Sequence, residues 1–439
     1  MSLKKSTVLV LILLMIFPLL ACKTFKMTPI LKAADQGQVN ELNRLLAQGV
    51  LPDAASKEGV TPLFIAAFKG HEDIVLRLID KSADVNAAVK MAFPYDDQTV
   101  YEGRTPLMAA LSRKQSEIAK ILIKNGADVN ARDINGATPL FIAAALNDES
   151  IVQYLIEKGA DVDAAIESDY EYNGQPVYKG ATPLMAALKM SQNANAALLV
   201  NSGADVNARC EDGTDALMIA ALNGDAKMAN FLLTHGATHQ TRTRQETMLK
   251  GQPVFEGVTT LMIAAGAGSM ESVVAFIDAG ADVTAASKNG TTALMAASAQ
   301  GHLDIVKLLI ENGADVNART LETFTIGAIA VPKGTTALSE AAHGGFADVV
   351  AFLIENGADV NAKDEDTDID ALFLAAEMGH MPVVKILVEN GADVYAETKM
   401  GTALGAARHY GHPYIAAYIE EAREAVKKIQ AQENEQEGN

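Results

Sequence analysis

Apolar residues in this chain come in short bursts at helical spacing. Ile74, Val75, Leu78 and Ile79 fall one, four and five positions apart, which lines one face of a helix. Ahead of such a stripe lies Thr-Pro-Leu or Thr-Ala-Leu, then a pair of alanines, as in Thr61-Pro62-Leu63 and Ala66-Ala67. Threonine before proline is a helix start: the hydroxyl caps free N–H groups and proline tolerates the first helical position. The alanines lack bulk and let an inner helix approach its neighbour closely. Glycine at the helix end suits the left-handed cap, and Asp, Asn and Gly then turn the chain. The pattern predicts pairs of short helices joined by tight turns, each too small to bury both its faces.

The pattern repeats. The Leu of the Thr-Pro-Leu or Thr-Ala-Leu triplet recurs at Leu63, Leu107, Leu140, Leu184, Leu217, Leu261, Leu294, Leu338, Leu372 and Leu404, with gaps of 44, 33, 44, 33, 44, 33, 44, 34 and 32. The Gly of Gly-Ala-Asp-Val keeps the same rhythm at Gly126, Gly159, Gly203, Gly280, Gly313, Gly357 and Gly391. Thr61-Pro62-Leu63, Ala66-Ala67, Gly70-His71 and Ala83-Asp84-Val85-Asn86 together resemble the ankyrin repeat signature. The resemblance covers roughly residues 28–430. It implies an all-α solenoid, a stack of antiparallel helix pairs with a β-hairpin projecting between neighbours. An N-terminal capping unit is expected at 28–58, repeats at 59–400, a C-terminal capping unit at 401–430 and a disordered tail at 431–439.

Each 44-residue gap carries eleven extra residues between the Gly-Ala-Asp-Val turn and the next helix start, hence in the hairpin. They recur in every second unit with a period of 77: Val100, Val177, Val254 and Val331 precede Gly103, Gly180, Gly257 and Gly334. Constant length points to duplication of a two-unit block. Stacked helices sit about 10 Å apart, so these hairpins should stand about 20 Å apart. The segments 89–102, 165–179, 239–256 and 320–333 hold five of the ten tyrosines. Tyr95, Tyr101, Tyr172, Tyr178, Phe255 and Phe324 are therefore candidate partner contacts. Aromatics also favour strands, so packing of hairpin on hairpin is an equal alternative. Tip charge differs: Asp96 and Asp97 mark the first, Glu167, Asp169 and Glu171 the second, and Arg242, Arg244 and Lys250 the third. Arg242 and Arg244 join the candidate contacts.

At the N-terminus, Lys4 and Lys5 precede an apolar run over 6–20. As a helix that run would reach about 22 Å, short of a roughly 30 Å hydrocarbon core, so residues 1–21 read as an export signal. Leu19-Leu20-Ala21-Cys22 resembles a bacterial lipobox, which implies acylation of Cys22, with 22–27 as a short tether. The expected location is the bacterial envelope: the periplasmic face of the inner or outer membrane, or the cell surface.

Formal charge is −19, and −21 once residues 1–21 with their two lysines are removed. So negative a surface repels phosphate backbones and argues against nucleic acid. Chemistry is sparse. His71, His302, His380 and His412 sit in Gly-His turns, where an imidazole orders the turn, and are too dispersed to share an ion. HExxH, paired CxxC and phosphate-cradling glycine motifs are absent. Asp364, Asp366, Asp368 and Asp370 alternate like a calcium loop but lack its glycine and closing glutamate, so a solvated acidic turn is expected. Cys210, standing where another unit has Asp133, reads as an exposed incidental thiol. These observations predict no enzyme, no metal and no cofactor. They favour a monomeric, lipid-anchored protein-binding scaffold using its hairpins and concave helical face. A passive or self-associating spacer and a glycan-binding module are the alternatives.

Overall fold

The computed structural model describes residues 26–96, 98–146, 148–172, 175–249, 252–326 and 329–437. Among these, twenty-two helices alternate with short antiparallel strand pairs. The chain divides into two compact units, residues 1–167 with 173–175, and residues 168–172 with 176–439.

In the first unit the inner helices are α1 (Pro29–Asp35), α3 (Pro62–Lys69), α5 (Pro106–Ser112) and α7 (Pro139–Ala144). Each packs on the next. The outer helices α2 (Val39–Ala47), α4 (Glu72–Asp80), α6 (Ser116–Lys124) and α8 (Glu149–Glu157) form the second layer. Inner helices are buried almost all round where they touch their own outer helix and an inner helix on either side, as α3 does: Leu63, Ile65, Ala66 and Ala67 are each fully buried. Outer helices bury one stripe, such as Ile74, Val75 and Leu78.

The second unit repeats the scheme. Its inner helices are α9 (Pro183–Lys189), α11 (Ala216–Leu222), α13 (Thr260–Ala267), α15 (Ala293–Ala299), α17 (Ala337–Gly344), α19 (Ala371–Met378) and α21 (Ala403–His409). The outer row is α10 (Asn193–Asn201), α12 (Ala226–Thr234), α14 (Met270–Asp278), α16 (Leu303–Glu311), α18 (Ala347–Glu355), α20 (Met381–Glu389) and α22 (Pro413–Glu437). The last helix runs on through the region expected to be a disordered tail from 431, ending at Glu437.

The threonine caps form as the sequence predicts: Thr61, Thr105, Thr138 and Thr182 each accept a hydrogen bond from the N–H three residues on. In the second unit Asp215 and Asp370 do the same work with a carboxylate.

The asparagine of Gly-Ala-Asp-Val-Asn does more than turn the chain. Asn86 donates from Nδ2 to the Gly126 carbonyl at 3.0 Å and accepts at Oδ1 from the Asp128 N–H at 2.8 Å. Asn130 repeats this with Gly159 and Asp161, and Asn361 with Gly391 and Asp393. Each amide thus staples one turn to the next by two bonds. At the C-terminal end Tyr395 replaces the asparagine and donates instead to the Arg423 carbonyl of α22, while Arg423 donates to Val394.

Candidate partner-binding surface

All four eleven-residue additions form hairpins, and they keep the 77-residue period strand by strand. The pairs are β1 (Phe93–Tyr95) with β2 (Gln98–Val100), β3 (Tyr170–Tyr172) with β4 (Gln175–Val177), β5 (Thr247–Leu249) with β6 (Gln252–Val254), and β7 (Phe324–Ile326) with β8 (Ile329–Val331). Register is conserved too: Phe93 faces Val100, Thr247 faces Val254 and Phe324 faces Val331.

The hairpins stand on a backbone ladder that links successive turns. In the first unit the N–H groups of Lys90, Ile134 and Glu167 donate to the carbonyls of Glu58, Glu102 and Asn135. In the second, Glu211, Arg244, Lys288, Leu321, Glu365 and Lys399 donate to the turn before each. The glycine after each hairpin makes this closeness possible. Gly103 has φ +85°, and a Cβ there would lie 2.8 Å from the Cα of Asp133; Gly180 has φ +90° and would meet the Arg209 carbonyl at 2.7 Å.

Beneath each hairpin one position pair, buried or half-buried, changes from copy to copy. Arg104 and Asp133 form an ion pair at 2.8 Å with side chains 6% and 0% exposed. One period on, the pair is Ala181 and Cys210, then Val258 and Ser287, then Thr335 and Asp364. Cys210 is 5% exposed, not the exposed thiol expected from its place in a turn. Where the arginine is replaced by Ala181 a neutral thiol stands in place of its carboxylate partner, whereas Asp364, also without an arginine, is held by the donors of its own turn. Burial, with Asp212 nearby, pushes that thiol up to about 12.

The acidic turn at 364–370 also differs from expectation. Asp364 is buried and is saturated by its own turn, accepting from the N–H groups of Asp366, Thr367 and Ile369 and from the Thr367 hydroxyl. Asp370 is buried as the cap of α19. Asp366 takes a bond from Thr323, and Asp368 lies 3.6 Å from Lys399. The four carboxylates serve four separate purposes. The turn holds one residue more than its counterpart at 133–137, placed at Asp368 with φ +57°, which explains the single 34-residue spacing. Among the described residues no group of three or more His, Cys, Asp or Glu could hold a metal ion. His71, His380 and His412 each meet a backbone carbonyl of the preceding repeat at 3.0 Å, as turn-ordering residues should.

The sequence-derived contact candidates fall in different places. Tyr95 is 7% exposed: its ring lies 5.0 Å from that of Phe68 on α3, and its hydroxyl donates to Asp35 at 2.6 Å. Desolvation and that carboxylate raise its pKa. Asp96 pairs with Lys69 at 2.7 Å and Arg113 at 3.3 Å. The inner face of this first hairpin is therefore laid down on the helices, leaving Pro94 and Thr99 outward. Tyr101 and Tyr178 are half-buried, with Arg104 5.5 Å from the Tyr101 ring. Arg242 belongs to the base of the third hairpin rather than its tip, donating to the carbonyls of Gly257 and Ala286. Arg244 is exposed. Phe255 and Phe324, from the third and fourth hairpins, meet edge to face at 4.7 Å and remain half-exposed, so two rings bridge the interval expected between those hairpins. Asp97, Lys250, the Tyr172 side chain and Cys22 lie outside the described residues.

One acid was missed by the sequence reading. Glu340 of α17 stands in the row of inner-helix positions filled elsewhere by Ile219, Ile263 and Leu374, and desolvation raises its carboxyl to about 7. Its place among alanines and leucines is the signal that could have found it.

Family models for ankyrin repeats in three copies match residues 4–89, 88–166, 164–244, 242–320 and 325–398. The chain belongs to the ankyrin repeat family. A second ankyrin model, for arrays of many copies, matches residues 294–354. No curated protein matches the chain. Ankyrin repeats are typically non-enzymatic modules that mediate protein–protein interaction. No helix among the described residues is long and apolar enough to cross a membrane.

Proposed function

We propose that this ankyrin protein is a lipid-anchored adaptor of the bacterial envelope, binding other proteins through its extended hairpins and the concave face of its inner helices. The supporting observation is the four hairpins 77 residues apart, three of them with the same described register, whose tips differ in charge and apolarity. Uniform backbone with varied tips suits recognition of one asymmetric partner. The anchor rests on the apolar run ending in Ala21-Cys22. Acyl chains contribute about 0.8 kcal/mol for each buried methylene, so several would fix the protein at a bilayer.

The test is capture from native envelopes by the intact chain and by a chain with all four hairpins cut back by their eleven added residues. A partner retained by the first and lost by the second is the expected result. Equal capture by both would refute the hairpin surface, and a Cys22→Ser chain still held at the membrane would refute the anchor.

A further inference from the structure

The third and fourth hairpins enclose a cleft of about 450 Å³. Its apolar part is the edge-to-face pair Phe255 and Phe324. Its charged rim holds Glu246, Glu256 and Glu322 against a single cation, Lys288. Lys288 is committed to Glu256 at 2.5 Å, so Glu246 and Glu322 are left with a surplus of two negative charges. Both still act on the lysine, helping to hold its ammonium above the usual range after the dominant bond to Glu256.

The floor supplies a second kind of request. Asn289 is 2% exposed, and its Oδ1 is occupied by Ser287 and by both the N–H and the hydroxyl of Thr291. That fixes the amide orientation and leaves Nδ2 as a buried donor with no acceptor among the described residues. A buried N–H without an acceptor is costly. The cleft thus combines excess negative charge, two aromatic rings and one donor in want of a carbonyl. An anion is repelled, and a purely apolar ligand would leave the carboxylates and the amide unanswered.

The corresponding interval between the second and third hairpins lacks this combination. There Tyr178 and Thr247 occupy the two ring positions, Glu211 stands for Lys288, and Asp212 stands for Asn289 with its carboxylate already taken by Thr214. The combination therefore differs between these two intervals although the repeat is shared.

We propose that this cleft binds an extended segment of a partner protein by seating a lysine or arginine side chain between Glu246 and Glu322 against the Phe255–Phe324 rings. A main-chain carbonyl of that segment reaches toward Asn289. The aliphatic stem of the basic residue covers the rings while its charge meets the carboxylates, an arrangement that gains both cation–π and ion-pair attraction. This rests on the adaptor reading and gives one of its surfaces a partner chemistry.

The probe is a fluorescein-labelled peptide of alternating lysine and glycine, with a glutamate–glycine peptide as control, followed by anisotropy on the purified chain. The lysine peptide should bind saturably and the glutamate peptide should not. The Glu246→Gln, Glu322→Gln double variant should weaken binding at least about tenfold. Lys288→Met, which removes the resident competitor, should tighten it. Because the chain is acidic throughout, Glu271→Gln with Glu311→Gln, at exposed sites away from the cleft, is the matched charge control and should leave affinity unchanged. Phe255→Ala with Phe324→Ala should weaken binding with the carboxylates intact. Absence of binding, equal binding of both peptides, or equal losses in the cleft and control variants would overturn the proposal. The adaptor reading is judged separately, by capture with and without the hairpin additions.

Discussion

Arg104 and Asp133 show how a duplicated block adjusts one residue at a time. A buried guanidinium is tolerated because a carboxylate 2.8 Å away neutralises it, and that carboxylate also accepts from the N–H groups of Asn135 and Ala137. Where the arginine became Ala181 the acid became Cys210, and where it became Val258 the acid became Ser287. In these two copies the pair carries no charge, and in the fourth, Thr335 with Asp364, the acid is held by its own turn. Arg104→Ala alone should therefore destabilise its repeat by about 3 kcal/mol, since breaking a buried pair strands the partner charge. Arg104→Ala with Asp133→Cys, which reproduces the second copy, should recover most of that loss. Urea melts of the wild type, single and double variants would decide it; a double variant no more stable than the single one would contradict the coupling. The pair was hard to read in the sequence because nothing in the letters says that Arg104 turns inward. The same blindness made Cys210 look exposed: its turn is polar by composition, yet its sulfur lies 3.5 Å from the Met185 sulfur on α9 and is buried.

At the level of elements, helix starts, helix faces and the hairpin additions were all legible, because threonine caps, alanine pairs and apolar stripes are local signals. The strand positions were legible through the 77-residue period of valine. Where a hairpin lies was not legible. Tyr95 sits on Phe68 because the preceding inner helix offers an aromatic floor and Asp35 offers an acceptor, both contributed from distant parts of the chain. The asparagine staples were likewise seen only as turn formers. Asn361→Ala removes two bonds that join neighbouring turns, to Gly391 and from Asp393. Because a repeat array is stabilised by nearest-neighbour terms, this should cost about 1 kcal/mol and release the C-terminal repeats first. Hydrogen exchange would show faster opening confined to residues C-terminal of 361; uniform acceleration along the chain would contradict it.

For the molecule as a whole, the ankyrin assignment follows from period and signature, and the charge balance bears on which partners the surface favours. Stacking hides most of each inner helix and leaves the hairpins, the turns and the remaining inner-helix face to supply individuality. Local sequence rules could therefore name the fold but not choose between an aromatic that binds and one that packs. In the structure Tyr95 packs on Phe68 and anchors its own hairpin, Arg242 ties a base, and Phe255 with Phe324 forms a half-exposed, acidic-rimmed pair. The central claim is that recognition happens on the hairpins. Hydrogen–deuterium exchange on the chain with and without its captured partner reads this directly. Protection concentrated in 93–100, 170–177, 247–254 and 324–331 is the predicted result, and protection confined to the outer helices α2 to α22 with unchanged hairpins would contradict it.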